Sequence, residues 1–170
     1  MNIVLTGFMA TGKTEISKSL AKLLNRELID TDAMIVEEAG MSINDFFAKS
    51  GEEYFRQLER DIIKKAASAK NAVISTGGGV VLNADNIEVL RNGGRILNLS
   101  PEFDEIKERI EIASKTRPLI KGRSIEEIEQ LFNYRKPFYD NCDVKITVTN
   151  NKSPEAHAKD IIQILGDDIK

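Results

Sequence analysis

Cysteine occurs once in 170 residues, at Cys142, so the chain closes no internal disulfide and suits a reducing, cytoplasmic compartment. That lone thiol reads as a small, partly buried apolar residue rather than a nucleophile. No apolar run is long enough to cross a bilayer, and nothing at the N-terminus reads as a signal peptide. An excess of positive charge is missing too: 24 Lys and Arg stand against 27 Asp and Glu, a net charge of −3 with a pI near 5.4. That balance argues against general nucleic-acid or anionic-membrane binding and in favour of small-molecule partners. No internal repeat, low-complexity tract or linker splits the chain, so 1–170 is expected to be one domain and a monomer. Its 41% hydrophobic content is enough for a core.

What is present begins with "NIVLTGFMATGKTEIS", Asn2 to Ser17. The spacing Gly7-x-x-x-x-Gly12-Lys13-Thr14 fits a phosphate-binding loop, whose backbone N–H groups surround a polyphosphate while the lysine reaches terminal phosphates and the hydroxyl ligates Mg²⁺. Context agrees, because a β-rich run precedes the loop and Ile16, Leu20, Leu23 and Leu24 recur on one helical face after it. Gly7, Ala10, Thr11, Gly12, Lys13, Thr14 and Glu15 are the candidate nucleotide contacts there, with Mg²⁺ as the expected cofactor of bound ATP. A glycine turn that binds nothing is the bland alternative. Even so, a helix N-terminus beside a lysine favours anions.

Five short β-rich runs follow one another, at "NIVLT", around Glu27 to Ile29, at 72–75, at 95–99 and at 144–148, with amphipathic stretches between them. The alternation predicts an α/β protein, a three-layer α/β/α sandwich of the P-loop NTP hydrolase type around a five-stranded parallel sheet. Ligands of such sheets bind beyond the carboxyl ends of the strands.

Residues suited to phosphoryl transfer stand after those strands. "DTD" puts Asp30 and Asp32 at alternate positions; if extended, both carboxylates leave on one face and can organise a metal and accept a proton. A cap on the next helix, "AMIVEEA", is the competing reading. "STGGGVV" removes side chains at Gly77, Gly78 and Gly79, so something is expected to approach that backbone closely. In "GEEYFRQLERDIIKKAAS", Phe55, Leu58 and Ile62 form the inward face, with Arg56, Glu59 and Arg60 elsewhere. Arg56 is either a solvated charge or a carboxylate reader. "SKTRPLIKGR", 114–123, carries Lys115, Arg117, Lys121 and Arg123 without an acidic residue. It reads as a basic loop able to fold over a nucleotide. Arg135 in "FNYRKPFYD" is a second isolated arginine.

Together "GFMATGKT", "LIDTD", "GEEYFRQLE", "STGGG", "TRPL" and "YRKPFYD" resemble the shikimate kinase family, in its order and at close to its spacing. Only the first is generic to phosphate-loop proteins; the combination is specific. The resemblance implies an ATP-dependent kinase of the shikimate 3-hydroxyl, with ATP, ADP and shikimate as its partners. It also implies a substrate-binding lobe at about 31–60 and a lid at about 111–123. Lys13 and Thr14 would hold phosphates and magnesium, Asp30 would reach the metal through water, and Asp32 would contact the acceptor and take its proton. Arg56 and Arg135 would clamp the carboxylate, and Gly77, Gly78 and Gly79 would line the substrate. Arg117 would bridge to the transferred phosphate, with Arg109 and Lys152 near adenine.

Departures from the family pattern are Ala10 where glycine is frequent, Thr14-Glu15 where Ser-Thr is frequent, and Ser17 where glycine is common. Glu15 favours the helix dipole and is expected to point outward. Two other readings stand beside this one. A related kinase of another polyol or nucleotide has no evident need for two carboxylate-reading arginines. A nucleotide-dependent switch would want Asn-Lys-x-Asp, and "NKSP" at 151–154 has proline in place of the aspartate.

Overall fold

The computed structural model describes residues 1–114 and 123–169. Five parallel strands, β1 (Asn2–Gly7), β2 (Leu28–Asp30), β3 (Val73–Ser75), β4 (Gly94–Ser100) and β5 (Val144–Thr147), form one sheet in the order β2-β3-β1-β4-β5. β1 lies at the centre, with Ile3 beside Val73 on one flank and Arg95 on the other. All six of its residues are buried, as expected of a strand covered on both faces.

Alternation along the strands sorts the core into two layers. Ile3 and Leu5, with Val73, Leu97 and Leu99, face α1 (Lys13–Leu24) and α7 (Pro154–Leu165), where Ile16, Leu20 and Ile161 meet them. Val4, Ile74 and Ile96 face the other way, against α3 (Ile43–Ala67), α4 (Ala84–Gly93), α5 (Phe103–Ser114) and α6 (Ile125–Tyr139), through Ile63, Leu90, Ile106 and Ile128. The three-layer parallel sandwich expected from the alternation is the observed fold. Among the described residues no helix is long and apolar enough to cross a membrane.

A small third cluster of Ile35, Phe55 and Ile62 lies under α2 (Thr31–Ala39) and α3. Gly51 interrupts α3 with φ 81° and ψ 173°, a conformation that side-chain-bearing residues rarely adopt. The helix therefore turns there, and its second part carries Arg56 toward the sheet. On that part Phe55 and Ile62 are buried as their spacing predicts, but Glu59 is buried too, at 2% exposure, while Leu58 is only partly so. Glu59, placed off the inward face by its spacing, is buried all the same: α3 is enclosed on more than its apolar stripe.

Residues 111–114, the start of the segment expected as a lid, form the end of α5. Lys115, Arg117 and Lys121 lie outside the described residues, and Arg123 is exposed just before α6.

Candidate active site

β1 delivers the chain into the phosphate loop at Gly7, and Gly12 caps α1 in the left-handed region at φ 81°. No side chain caps that helix, which leaves first-turn N–H groups for an anion. Thr11 Oγ1 donates to the Phe8 carbonyl at 3.0 Å and closes the loop on itself. Lys13 Nζ donates to the Gly7 carbonyl at 3.0 Å. Burial pushes the lysine down to about 8, against the opposing pull of Asp32 and then Asp30. Ala10 has φ 57°, a position costing a residue with a Cβ roughly 1–2 kcal/mol. The glycine expected there by resemblance would relieve that strain. Glu15 points outward and pairs with Lys18 at 2.8 Å, away from the anion site.

Asp30 and Asp32 are not an extended pair. β2 ends at Asp30, whose Oδ1 accepts from the Asp32 and Ala33 N–H groups as the cap of α2. The capping reading therefore describes the local geometry, and Asp32 sits in the first helical turn. Asp32 is held above the ordinary carboxylate range by burial and then by Asp30, with Lys13 opposing.

The glycine run lies against these groups. A Cβ at Gly77 would meet Asp32 Oδ1 at 2.5 Å, and one at Gly79 would meet Arg56 Nη1 at 2.7 Å. None of the three glycines has positive φ; Gly77 and Gly79 are needed for space, while a Cβ at Gly78 would make only ordinary contacts at 3.7 Å. The close approach expected at this run is made, in the protein itself, by Asp32 and Arg56. Thr31 Oγ1, fully buried, accepts from the Gly77 N–H at 3.1 Å and ties the start of α2 to the run.

Arg56 donates to Glu59 at 2.7 Å. Burial raises the Glu59 carboxyl, while the Arg56 hydrogen bond and charge pull it back; the charges of Asp32 and Arg135 also reach it. Arg135, on α6, is therefore near enough for its charge to act on Glu59. Its Nε is buried with no hydrogen-bond partner among the described residues.

On the other side of the phosphate loop, Arg109 donates to the Ala10 carbonyl at 3.0 Å and, through Nε, to Asn150 Oδ1 at 2.5 Å. Asn150 also donates to Glu105 and Glu108, fastening the segment after β5 onto α5. Lys152 does not join them: its ammonium pairs with Asp160 of α7 at 2.6 Å. Asn150 carried no sequence signal beyond being a short polar residue in a turn, and Thr31, the first residue of α2, was legible only as a candidate helix cap. Cys142 is half-buried with its thiol pushed up by burial, which keeps it protonated and unreactive.

The structure therefore gathers Lys13, Asp30, Asp32, Arg56, Arg135 and the glycine run at the carboxyl ends of β1, β2 and β3, with Arg109 at the opposite lip. The Shikimate kinase family model matches residues 9–166. The chain belongs to the shikimate kinase family. A shikimate kinase of Caldicellulosiruptor bescii is 46% identical over 96% of this chain and 94% of its own length. Among solved structures, a shikimate kinase from Bacteroides thetaiotaomicron matches with TM-score 0.88 at 32% identity, covering 97% of this chain and 98% of the other. A shikimate kinase from Acinetobacter baumannii in complex with shikimate matches with TM-score 0.86, again at 32% identity, over 96% and 92% of the two chains. The shikimate kinase family assignment spans both lips of the site, from the phosphate loop to the segment after β5.

Proposed function

We propose that the chain transfers the γ-phosphate of ATP to the 3-hydroxyl of shikimate, with the acceptor seated between Asp32, the glycine run and the two arginines. Its family makes it an ATP-dependent kinase of shikimate; the roles of the described residues are inferred from geometry together with the family pattern, and that of Arg117 from the pattern alone. The observation that carries them is that the glycine run holds Asp32 against Gly77 and Arg56 against Gly79, while Arg135, remote in sequence on α6, lies near enough for its charge to act on Glu59, the partner of Arg56. Two guanidinium groups and one carboxylate suit an acceptor bearing both an acid and hydroxyls.

Asp32 is the candidate base. A carboxylate held above its ordinary range by burial is better matched to accepting a hydroxyl proton than a solvated one. Lys13, whose ammonium rests on a main-chain carbonyl, would move onto phosphate oxygens, where charge accumulates during transfer. Arg56 and Arg135 would grip the shikimate carboxylate, and the backbone of Gly77, Gly78 and Gly79 would line the ring. Arg117 is proposed to reach the transferred phosphate, Arg109 to flank adenine, and Asn150 to hold Arg109 in place.

Among the described residues no group of three or more His, Cys, Asp or Glu side chains could hold a metal alone. That donor set fits Mg²⁺, which keeps several waters and is held chiefly by phosphates with one or two protein ligands. Thr14, exposed in the first turn of α1, would ligate it directly, and Asp30 through water. Bound there, Mg²⁺ supplies neutralisation of phosphate charge.

Coupled ADP release should be low with MgATP alone and rise at least a hundredfold above that background with shikimate, roughly the scale of an oriented, electrostatically assisted step. The phosphorylated product should appear by ³¹P NMR. ADP release indifferent to shikimate would overturn the reading.

A further inference from the structure

Tyr139 joins three parts of the site that come from remote stretches of chain. It closes α6, is buried to 5% exposure, and its hydroxyl donates to the Gly78 carbonyl at 2.5 Å. Its ring meets Phe8, inside the phosphate loop, edge-on at 6.4 Å. Arg135 stands four residues earlier on the same face of α6; burial raises the phenol's pKa, and the charge of Arg135 pulls it down.

The two arginines differ in how they are held. Arg56 is fixed by Glu59. Arg135 has a buried Nε with no hydrogen-bond partner among the described residues, so its direction depends on α6 and on the group beside it. Gly78, for its part, has no side chain with which to fix its own peptide plane. A single hydroxyl can serve both, as donor to the carbonyl and acceptor toward the guanidinium.

We propose that Tyr139 is a positioning residue for shikimate phosphorylation, fixing the Gly78 peptide and the Arg135 guanidinium against the phosphate loop through Phe8. This rests on the reaction proposed above. Burial pushes the phenol up to about 12, so the hydroxyl keeps its proton, and the strut persists, throughout the neutral range. A carbonyl left unpaired in a buried loop loses its preferred plane, and a guanidinium without an acceptor samples more rotamers; both effects fall on the acceptor side. The nucleotide side keeps its own supports in Thr11, Arg109 and Asn150.

Tyr139→Phe keeps the ring against Phe8 and removes only the hydroxyl. In the ligand-free protein, amide hydrogen exchange over 77–80 should accelerate in this variant. With both substrates, KM for shikimate should rise roughly tenfold, the scale of one lost buried hydrogen bond, while KM for ATP stays within about twofold. Phe132→Leu is the packing control: its ring also meets Phe8, at 5.4 Å, but carries no hydroxyl. It should lower the melting temperature while leaving KM for shikimate nearly unchanged. Exchange at the wild-type rate in Tyr139→Phe would overturn the proposal, as would equal rises in KM for both substrates. Failure of the wild type to phosphorylate shikimate would instead overturn the reaction, and the exchange measurement would still decide whether the hydroxyl holds the loop.

Discussion

A carboxylate with 2% of its surface exposed depends on what faces it, and for Glu59 that is Arg56 at 2.7 Å. Because burial raises its pKa despite that partner, the folded state favours the protonated form more than the unfolded chain does. The stability this contributes is fully present below the ordinary glutamate value and is lost as pH rises through the raised one. Glu59→Gln, neutral at every pH and still an acceptor for Arg56, should melt like the wild type near pH 4 and above it toward about pH 7. Thermal melts across that range check this, and parallel curves would show that Glu59 ionises in the fold without penalty. Residue chemistry made several of these groups legible beforehand. Lys13, Thr14 and the glycines are dictated by what a polyphosphate needs, and arginine by what a carboxylate needs. Glu59 was not legible, because an acidic residue three positions from an arginine reads as a solvated pair until neighbouring elements bury it. Asp30 and Asp32 were legible as a pair but not in geometry, since the sequence does not say that the strand stops at the first of them.

At the scale of elements, the glycine run after β3 and the glycine that opens β4 do different work. A Cβ at Gly94 would meet the Asn2 main-chain carbonyl at 2.6 Å, whereas one at Gly79 would meet the far end of the Arg56 side chain. Main chain in a sheet cannot retreat, so Gly94→Ala should destabilise by about 1–3 kcal/mol, the usual cost of overpacking. Gly79→Ala should leave the melting temperature within a few degrees, since the guanidinium can swing aside, but should raise KM for shikimate about tenfold by displacing it. Melts and steady-state kinetics on the two variants separate these effects; an unchanged KM in Gly79→Ala would mean that the pose of Arg56 over the glycines is not its working one. Strand positions were legible because parallel, doubly covered strands leave apolar runs, and each strand's bounds differ from its run by about one residue, β4 included. The turn of α3 at Gly51 was not legible, since a glycine ahead of a helical pattern reads equally well as a boundary. Lys152 was placed by analogy of position, and its ion pair with Asp160, eight residues on, is a surface contact that the sequence did not announce.

Across the whole molecule, the sheet order brings the ends of β1, β2 and β3 side by side, so a nucleotide lip built from α1, α5 and the segment after β5 faces an acceptor lip built from α2, α3, the glycine run and α6. That meeting of lips is a property of topology, and the alternation of strands and helices foretold it without giving the strand order. The central claim is that Arg56 and Arg135, carried by different helices, read one carboxylate. It is tested most directly by comparing shikimate with its neutral carboxamide in the wild type, Arg56→Ala and Arg135→Ala. A charge-assisted hydrogen bond contributes about 1.5–3 kcal/mol, so either substitution should weaken shikimate binding roughly ten- to a hundredfold. The carboxamide should cost the wild type much more than it costs either variant, because an arginine already removed cannot be lost again. Equal losses in all three proteins would show that these arginines do not read the carboxylate.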